Sequence, residues 1–172
     1  VSKILNFSSN NRIAICNANT LVRSVKDLHI RNAVNNFTIK TPDGFPVAKA
    51  LSFITKKKFS RVDGYKVFLQ SISDGLDINR KHFFFGNNEN TTQKMIEKLK
   101  GTFPNINISG YICPEQMTAE ELAIKYKKDF QSIDADIVWV SLGFPKQELF
   151  IDKVCEEIET NTNFVQFITF FP

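Results

Sequence analysis

The 172 residues predict a single α/β domain (1–172) in which a doubly wound, mostly parallel sheet carries helices on both faces. Segments with strand character alternate with segments of helix character along the whole chain, and this order favours strand–helix–strand units. The strand segments are continuous apolar runs such as residues 137–140, which is typical of parallel strands that are buried on both faces. A chain of this length can bury one sizeable core.

Six strands and six helices follow from this pattern. The strands are predicted at residues 12–16, 37–40, 82–85, 106–112, 136–142 and 164–171, after a polar entry segment at 2–11. The helices are predicted at residues 20–32, 46–58, 67–76, 90–100, 118–132 and 145–159. Capping boxes formed by Asn90 with Gln93 and by Thr118 with Glu121 mark two of the helix starts.

Polar turns follow four of the predicted strands, at residues 17–20, 42–44, 86–90 and 143–148. Right-handed crossovers between parallel strands bring the turns that follow them to one edge of the sheet. Open α/β sheets bind ligands at this carboxyl edge. We therefore expect the functional residues to lie in these four turns.

The turn at 143–148 joins a buried strand to a helix. Gly143 permits a sharp exit from the strand, and Pro145 suits the first position of a helix. Lys146, Gln147 and Glu148 then place polar groups at the helix N-terminus, where free N–H groups and the helix dipole favour an anion. The alternative is an ordinary strand-to-helix connection with a solvated polar turn.

Three further polar residues are candidates for chemistry, and each has a structural alternative. Asp43 is held between Pro42 and Gly44 after a strand, so it is a candidate general base or a turn carboxylate that binds local N–H groups. Asn17 can bond a sugar or base, or cap the next helix. Arg61 can grip a phosphate as a fork, or form a surface salt bridge.

Composition narrows the class of protein only slightly. The net charge of +4 and the isoelectric point near 8.9 fit phosphate ligands, an anionic membrane surface or no particular partner. The lysines at 56–58 and 125–128 are interpreted as solvated helix faces. Three distant cysteines predict reduced, cytosolic thiols and no metal site. No signal peptide opens the chain, no apolar run reaches the ~20 residues of a membrane span, and the isolated His29 and His82 are expected to be surface or packing residues.

Several ligand-binding signatures are absent. No G-x-G-x-x-G follows the first strand and no G-x-x-x-x-G-K-[ST] occurs, so the dinucleotide fingerprint and the P-loop are excluded. There is no G-x-S-x-G, and no Asp-x-Asp pair of the kind that holds a metal-bound diphosphate. The last absence disfavours a metal-dependent sugar-nucleotide site.

Seven short motifs, in this order along the chain, carry a family resemblance. They are Asn17, residues 42–47 (PDGFPV), 61–64 (RVDG), 83–87 (FFFGN), 103–104 (FP), 110–111 (GY) and 136–148 (DIVWVSLGFPKQE). Over residues 12–160 the chain resembles the WecG/TagA/CpsF glycosyltransferases, glycosyltransferase family 26. The Pro-Asp-Gly and Gly-x-Pro-Lys-Gln-Glu turns, at this separation, are the specific pair.

The resemblance implies a Rossmann-like core and a bacterial, inverting, metal-independent hexosyltransferase without a cofactor. Such enzymes move an N-acetylmannosamine-type or related sugar from a UDP-sugar donor to a polyprenyl-diphosphate-linked acceptor. They act in the biosynthesis of teichoic acid, capsule, exopolysaccharide or other cell-surface polysaccharide, at the cytoplasmic, inner face of the plasma membrane. The resemblance further implies peripheral membrane association, possible homo-oligomers and no nucleic-acid partner.

Carried over by position, the resemblance assigns Asp43 as the general base and the other site residues to substrate binding. These are Asn17, Arg61, Gln147, Lys146, Gly143 and Gly86. Two positions depart from many relatives: Ile15 stands where they carry Thr, and Lys66 where they carry Asp. Loss of the Thr hydroxyl removes a substrate contact, and the reversed charge at Lys66 points to a different donor or acceptor.

Relatives continue past the last strand into a C-terminal appendage that supplies basic residues and membrane contacts, whereas here residues 164–172 end the sequence. A truncated family member is therefore expected. One alternative is a catalytically inactive remnant that still binds a UDP-sugar. The other is an unrelated nucleotide-binding α/β module.

Overall fold

The structure, a computed structural model, describes residues 11–167 and places six parallel strands in one sheet. The strands are β1 (Arg12–Cys16), β2 (Ile39–Pro42), β3 (Lys81–Gly86), β4 (Asn107–Ile112), β5 (Ile137–Ser141) and β6 (Asn163–Gln166). Their order across the sheet is β2-β1-β6-β5-β3-β4, and every neighbouring pair is parallel. The predicted α/β class with a parallel sheet is confirmed.

Seven helices accompany the sheet within residues 11–167. They are α1 (Ala18–Lys26), α2 (Leu28–Asn36), α3 (Phe45–Thr55), α4 (Gly64–Gly75), α5 (Glu89–Thr102), α6 (Ala119–Ser132) and α7 (Lys146–Glu157). Helices α2, α6 and α7 pack on one face, where they meet Val138 and Val140 of β5. Helices α4 and α5 cover the other face, which presents Ile137 and Trp139. Alternate residues of one strand thus enter two separate cores, as a doubly wound sheet requires.

His82 is a packing residue, which agrees with the interpretation from the sequence. The Nε1 group of Trp139 donates a hydrogen bond of 3.0 Å to its Nδ1 atom. Burial lowers the pKa of His82 to about 4, and the nearby Arg80 guanidinium acts in the same direction. The imidazole is therefore neutral at physiological pH, and its Nδ1 atom accepts the hydrogen bond of the indole inside the core.

The predicted helix at 20–32 is wrong, because the chain forms two helices there. Asp27 ends α1 and caps α2: its Oδ1 atom accepts hydrogen bonds from the backbone N–H groups of His29 and Ile30. An Asp in this position satisfies N–H groups that have no partner within the helix.

Smaller differences concern helix caps and strand limits. Thr118 and Glu121 form the predicted capping box. The other predicted box is wrong, because Asn88 caps α5 through the N–H group of Thr91. Strand β2 lies two residues later than predicted and ends in Pro42, which an edge strand tolerates.

The last predicted strand is confirmed in its first part as β6. Phe167 was also predicted as strand but lies just after β6, and residues 168–171 of that prediction and most of the predicted entry segment lie outside the described residues. No helix within residues 11–167 has both the length and the apolar character that crossing a membrane requires.

Candidate active site

Two clefts open at the carboxyl edge of the sheet, where the turns after β2 and β5 lie. The first, here called the Asp43 cleft, has a volume of about 440 Å³ and is lined by Ile15, Asp43, Arg61, Asp63, Gly64, Tyr65, Gln147 and Gln166. The second, the α7 cleft, has a volume of about 430 Å³ and is lined by Asn87, Asn88, Pro114, Glu115, Gln116, Ser141, Leu142, Gly143, Lys146, Gln147 and Phe167. Gln147 lines both clefts.

The N-terminus of α7 forms one wall of the α7 cleft. Gly143 adopts a positive φ of 77° between β5 and the helix, a conformation that glycine tolerates. Its carbonyl oxygen accepts a hydrogen bond of 3.0 Å from the N–H group of Gln147. Lys146 starts the helix and lines the cleft. Because a helix N-terminus and a lysine meet there, the cleft favours an anionic ligand.

Asp43 continues from the end of β2 into the Asp43 cleft. Its backbone N–H donates a 2.8 Å hydrogen bond to the carbonyl oxygen of Cys16, so the pairing of β1 with β2 fixes its position. Gly44 follows with a φ of 91° and turns the chain into α3. The Asp43 carboxylate remains partly exposed in the cleft. It is therefore held by its backbone while its side chain is accessible.

Arg61 stands beside Asp43 at the mouth of the same cleft. Its Nε atom lies 3.9 Å from Oδ1 of Asp43, and its Nη2 atom lies 3.4 Å from Oδ2 of Asp63. A hydrogen bond of 2.9 Å from the N–H of Val62 to the carbonyl of Pro42 holds this loop against β2. The half-exposed guanidinium forms surface ion pairs and also faces the cleft. The geometry is therefore consistent both with a surface salt bridge and with a phosphate-binding role of Arg61.

Two of the predicted binding residues do not line either cleft. Asn17 caps α1: its Oδ1 atom accepts a 3.1 Å hydrogen bond from the N–H of Thr20. Gly86 lies at the end of β3, where a Cβ atom would fall 2.1 Å from the carbonyl oxygen of Ser141 in β5. The geometry therefore gives Asn17 a capping role and Gly86 a role in strand packing.

Contrary to the expectation from the sequence, the chain does contain an Asp-x-Asp pair, but it lies at the edge of the sheet opposite both clefts. Asp134 and Asp136, separated by one residue, precede β5. Asp134 pairs with the Lys81 ammonium group at 2.7 Å, and Asp136 accepts a 2.8 Å hydrogen bond from the Lys81 backbone N–H. Within residues 11–167, no group of three or more His, Cys, Asp or Glu residues is arranged to hold a metal ion.

The glycosyl transferase WecG/TagA/CpsF family profile matches residues 1–166, nearly the whole sequence. This chain belongs to the WecG/TagA/CpsF family. The match agrees with the resemblance carried by the Pro-Asp-Gly and Gly-x-Pro-Lys-Gln-Glu turns, which the structure places in the Asp43 and α7 clefts.

Two characterised relatives come from Bacillus, and both are named N-acetylglucosaminyldiphosphoundecaprenol N-acetyl-beta-D-mannosaminyltransferase. The protein of Bacillus spizizenii strain W23 is 36% identical over 113 residues, which are 65% of this chain and 42% of that protein. The protein of Bacillus subtilis strain 168 is 24% identical over 143 residues, which are 81% of this chain and 53% of that protein. The chain thus spans about half of the length of the curated relatives it matches.

Two buried polar residues lie beside the clefts and were not among the predicted site residues. Gln166 of β6 is buried, and its Oε1 atom accepts a 2.9 Å hydrogen bond from the N–H of Ile15. Glu148 of α7 is 1% exposed. Gln166 could have been found in the sequence, because it is a polar residue inside the apolar run of residues 164–167. Glu148 belongs to the Gly-x-Pro-Lys-Gln-Glu motif, but no role beyond the helix N-terminus was predicted for it, because a Glu in the first turn of a helix is common on surfaces.

Glu148 is a buried carboxyl group beside the residue that joins the two clefts. Its Oε2 atom, Oε1 of Gln147 and Nε2 of Gln166 have no hydrogen-bond partner. Burial raises the pKa of Glu148 to about 7, although the Glu148 N–H and the neighbouring amide of Gln147 act in the opposite direction. Cys16 on β1 faces the same carboxyl group, and burial raises the pKa of its thiol to about 11. Glu148 is therefore the group in this cluster that titrates near neutral pH.

We expect the Glu148→Gln variant to lose a pH dependence of stability that the native chain has. Because the folded-state pKa is raised above the unfolded value, the folded protein holds the proton more tightly between pH 4.5 and pH 7. The free energy of unfolding should therefore fall as pH rises through this window, by about 3 kcal/mol from this group. Urea unfolding at pH 5 and pH 8 measures the change.

A matched control is the Glu120→Gln variant, because Glu120 is an exposed residue in the first turn of α6. The control should keep the native pH dependence. If the Glu148→Gln variant shows the same slope as the native chain, the carboxyl group is ionised in the folded state throughout the window and the assignment is wrong.

Proposed function

We propose that this chain transfers an N-acetylmannosamine-type sugar from a UDP-sugar to a polyprenyl-diphosphate-linked sugar, with inversion at the transferred carbon and without a metal ion. The observation that carries the proposal is the position of Gln147, which lines both the Asp43 cleft and the α7 cleft. A carboxylate that can accept a proton and a helix N-terminus that can hold a diphosphate thus share one wall. Transfer to a hydroxyl group requires these two elements side by side.

The α7 cleft is the proposed position of the UDP diphosphate. Lys146 and the positive end of the α7 dipole supply positive charge there, and Gly143 lets the backbone approach the ligand closely. These groups stabilise the negative charge that develops on UDP as it leaves. Support for the sugar type comes from the names of the two Bacillus relatives, which specify N-acetylmannosaminyl transfer to N-acetylglucosaminyldiphosphoundecaprenol.

The Asp43 cleft is the proposed position of the acceptor hydroxyl. The Asp43 carboxylate takes the hydroxyl proton while the oxygen forms a bond to the anomeric carbon of the sugar. The bond between that carbon and the diphosphate oxygen breaks at the same time, and its electron pair leaves with UDP. Attack opposite the departing group inverts the configuration. Arg61 at the cleft mouth is placed to meet the acceptor diphosphate.

A lipid-linked acceptor determines where the reaction takes place. The polyprenyl chain resides in the bilayer, so the proposal places the protein peripherally at the inner face of the plasma membrane. The proposed pathway is the synthesis of a cell-surface polysaccharide such as teichoic acid or capsule, in line with the names of the relatives.

The test of the function is a transfer assay with the full 172-residue chain. UDP-N-acetylmannosamine is the donor, and the acceptor is a diphosphate-linked N-acetylglucosamine on a prenyl chain shortened until it is water-soluble. A disaccharide product detected by mass spectrometry supports the proposal. Saturable UDP binding without product would support the alternative of a binding remnant, and absence of both would reject the site.

Replacing Gln147 by Ala is expected to weaken UDP binding by about 10-fold. Gln147 is 4% exposed and its Oε1 atom has no partner within the protein, so this oxygen can accept a hydrogen bond from an N–H or O–H group of the nucleoside. Removing this acceptor leaves the donor of the ligand without a partner, which costs about 1–3 kcal/mol. Calorimetric titration of UDP measures the effect.

The control is the Gln131→Ala variant, since Gln131 is exposed on α6 and lies away from both clefts. The affinity of this variant for UDP should equal that of the native chain. Unchanged affinity in the Gln147→Ala variant would place the nucleotide elsewhere.

A further inference from the structure

The outer face of α3 is apolar although it is exposed. Phe45, Phe53 and Ile54 are 69%, 84% and 74% exposed, respectively. The inner side of the same helix buries Val47 and Ala48. A helix that is apolar on all sides is normally covered on all sides, and exposed apolar patches of this kind mark interaction surfaces.

The same segment carries positive charge and no negative charge. Between Pro46 and Val62 there are five basic residues and no Asp or Glu. The basic residues are Lys49, Lys56, Lys57, Lys58 and Arg61. The Nζ atom of Lys49 lies 5.9 Å from the centroid of the Phe45 ring, so charge and aromatic surface share one face.

The chain after α3 folds back and extends this face towards the Asp43 cleft. Lys56 adopts the left-handed conformation at the C-cap, and the N–H group of Phe59 donates a 2.9 Å hydrogen bond to Oγ of Ser52. A shallow groove then runs from Phe45 to Arg61. Because Arg61 also lines the Asp43 cleft, the apolar, basic face is continuous with the candidate site.

We propose that this surface docks on an anionic lipid bilayer. It is called the α3 face and consists of Phe45, Lys49, Phe53, Ile54 and residues 56–59. Aromatic and aliphatic side chains enter the boundary between headgroups and acyl chains, and lysines attract anionic headgroups. The absence of acidic residues favours a lipid partner over a protein partner, since protein surfaces present charges of both signs.

Docking through the α3 face would orient the Asp43 cleft towards the membrane. Gly44 alone separates Asp43 from α3, so the carboxylate lies at the edge of the docked surface. A sugar on a lipid diphosphate would reach this cleft without leaving the bilayer surface. This last step rests on the proposed function, whereas lipid binding itself does not.

The experiment is sedimentation of the full chain with vesicles. We expect binding to vesicles of phosphatidylglycerol and phosphatidylcholine, and little binding to phosphatidylcholine alone. The double variant Phe53→Ser, Ile54→Ser should bind at least about 10-fold more weakly, because it removes two apolar side chains that would enter the bilayer. The triple variant Lys56→Gln, Lys57→Gln, Lys58→Gln should also bind at least about 10-fold more weakly, since lysines near an anionic surface add to its attraction.

Matched controls alter equal numbers of exposed residues elsewhere. The pair Ile78→Ser, Ile124→Ser replaces two isoleucines that are each 66% exposed. The triple variant Lys94→Gln, Lys98→Gln, Lys100→Gln removes the same charge from α5. Both should bind vesicles as the native chain does.

Three results would overturn the proposal: no sedimentation of the native chain, equal binding by the α3 variants and the controls, or equal binding to neutral vesicles. A fourth contradicting result would come from analytical ultracentrifugation. If the native chain is a dimer and the Phe53→Ser, Ile54→Ser variant is a monomer, a second copy of the chain covers the α3 face. Because the water-soluble acceptor allows transfer to be measured without a membrane, sugar transfer and membrane docking can be tested separately. Transfer without vesicle binding rejects the α3 face alone, and vesicle binding without transfer rejects the proposed function alone.

Discussion

The Asp43→Asn variant is expected to transfer sugar about 100- to 10,000-fold more slowly than the native chain, the contribution typical of a general base. Asn has the same shape but cannot take a proton from the acceptor hydroxyl. The backbone of residue 43 is fixed by its hydrogen bond to Cys16, so the substitution should leave the fold and the α7 cleft unchanged. UDP affinity, measured by calorimetry, should therefore stay within about twofold of the native value, since no donor contact of the proposed site is lost.

Asp63→Asn is the matched control for this prediction. Asp63 lines the same cleft and caps α4 through the N–H groups of Tyr65 and Lys66, a role that Asn also fulfils. The control should retain most of its transfer rate. If Asp63→Asn is inactive and Asp43→Asn is active, Asp63 is the base. If both variants transfer sugar at the native rate, neither carboxylate is the base.

The Gly86→Ala variant is expected to lower the free energy of unfolding by about 4 kcal/mol, from overpacking and a strained backbone. A Cβ atom at this position would lie 2.1 Å from the Ser141 carbonyl oxygen, which is a backbone atom and cannot swing aside. The φ of 123° is also strained for any side chain. Strands β3 and β5 would have to separate at the edge that forms the α7 cleft.

Thermal unfolding checks this prediction, and the melting temperature should fall by roughly 8–16 °C for a chain of this size. Gly101→Ala is the control, because Gly101 lies in α5 and a Cβ atom there meets nothing within 4 Å. That change should stabilise the protein slightly, by about 0.5–1 kcal/mol. A Gly86→Ala variant as stable as the native chain would show that the two strands are not held this closely.

Local chemistry made much of the fold and part of the site predictable. Apolar runs that alternate with helix-forming segments identified every strand of the described sheet, because parallel strands are buried on both faces. The positions of Asp43 and Gln147 followed from the same logic, since turns after parallel strands meet at one edge. These predictions needed only residue type and spacing.

Interactions between distant segments were not predictable in this way. Glu148 and Gln166 are 18 positions apart in sequence, and their shared burial depends on β6 lying beside β5. Asn17 has side-chain chemistry that suits both a ligand and a helix N-terminus, and its capping bond to Thr20 is visible only in the geometry. Gly86 carries no side chain to indicate a partner, so its contact with Ser141 appears only in three dimensions.

The position of β6 has a consequence for how the protein is made. It is the last strand of the described chain, yet it lies between β1 and β5 and alone joins the β2-β1 pair to the β5-β3-β4 group in the sheet. During translation the two groups can form early, but the sheet cannot close until residues 163–166 have left the ribosome. Because Gln166 also lines the Asp43 cleft, sheet closure and completion of that cleft are one event, and a nascent chain that lacks β6 exposes two open sheet edges to chaperones or to other chains.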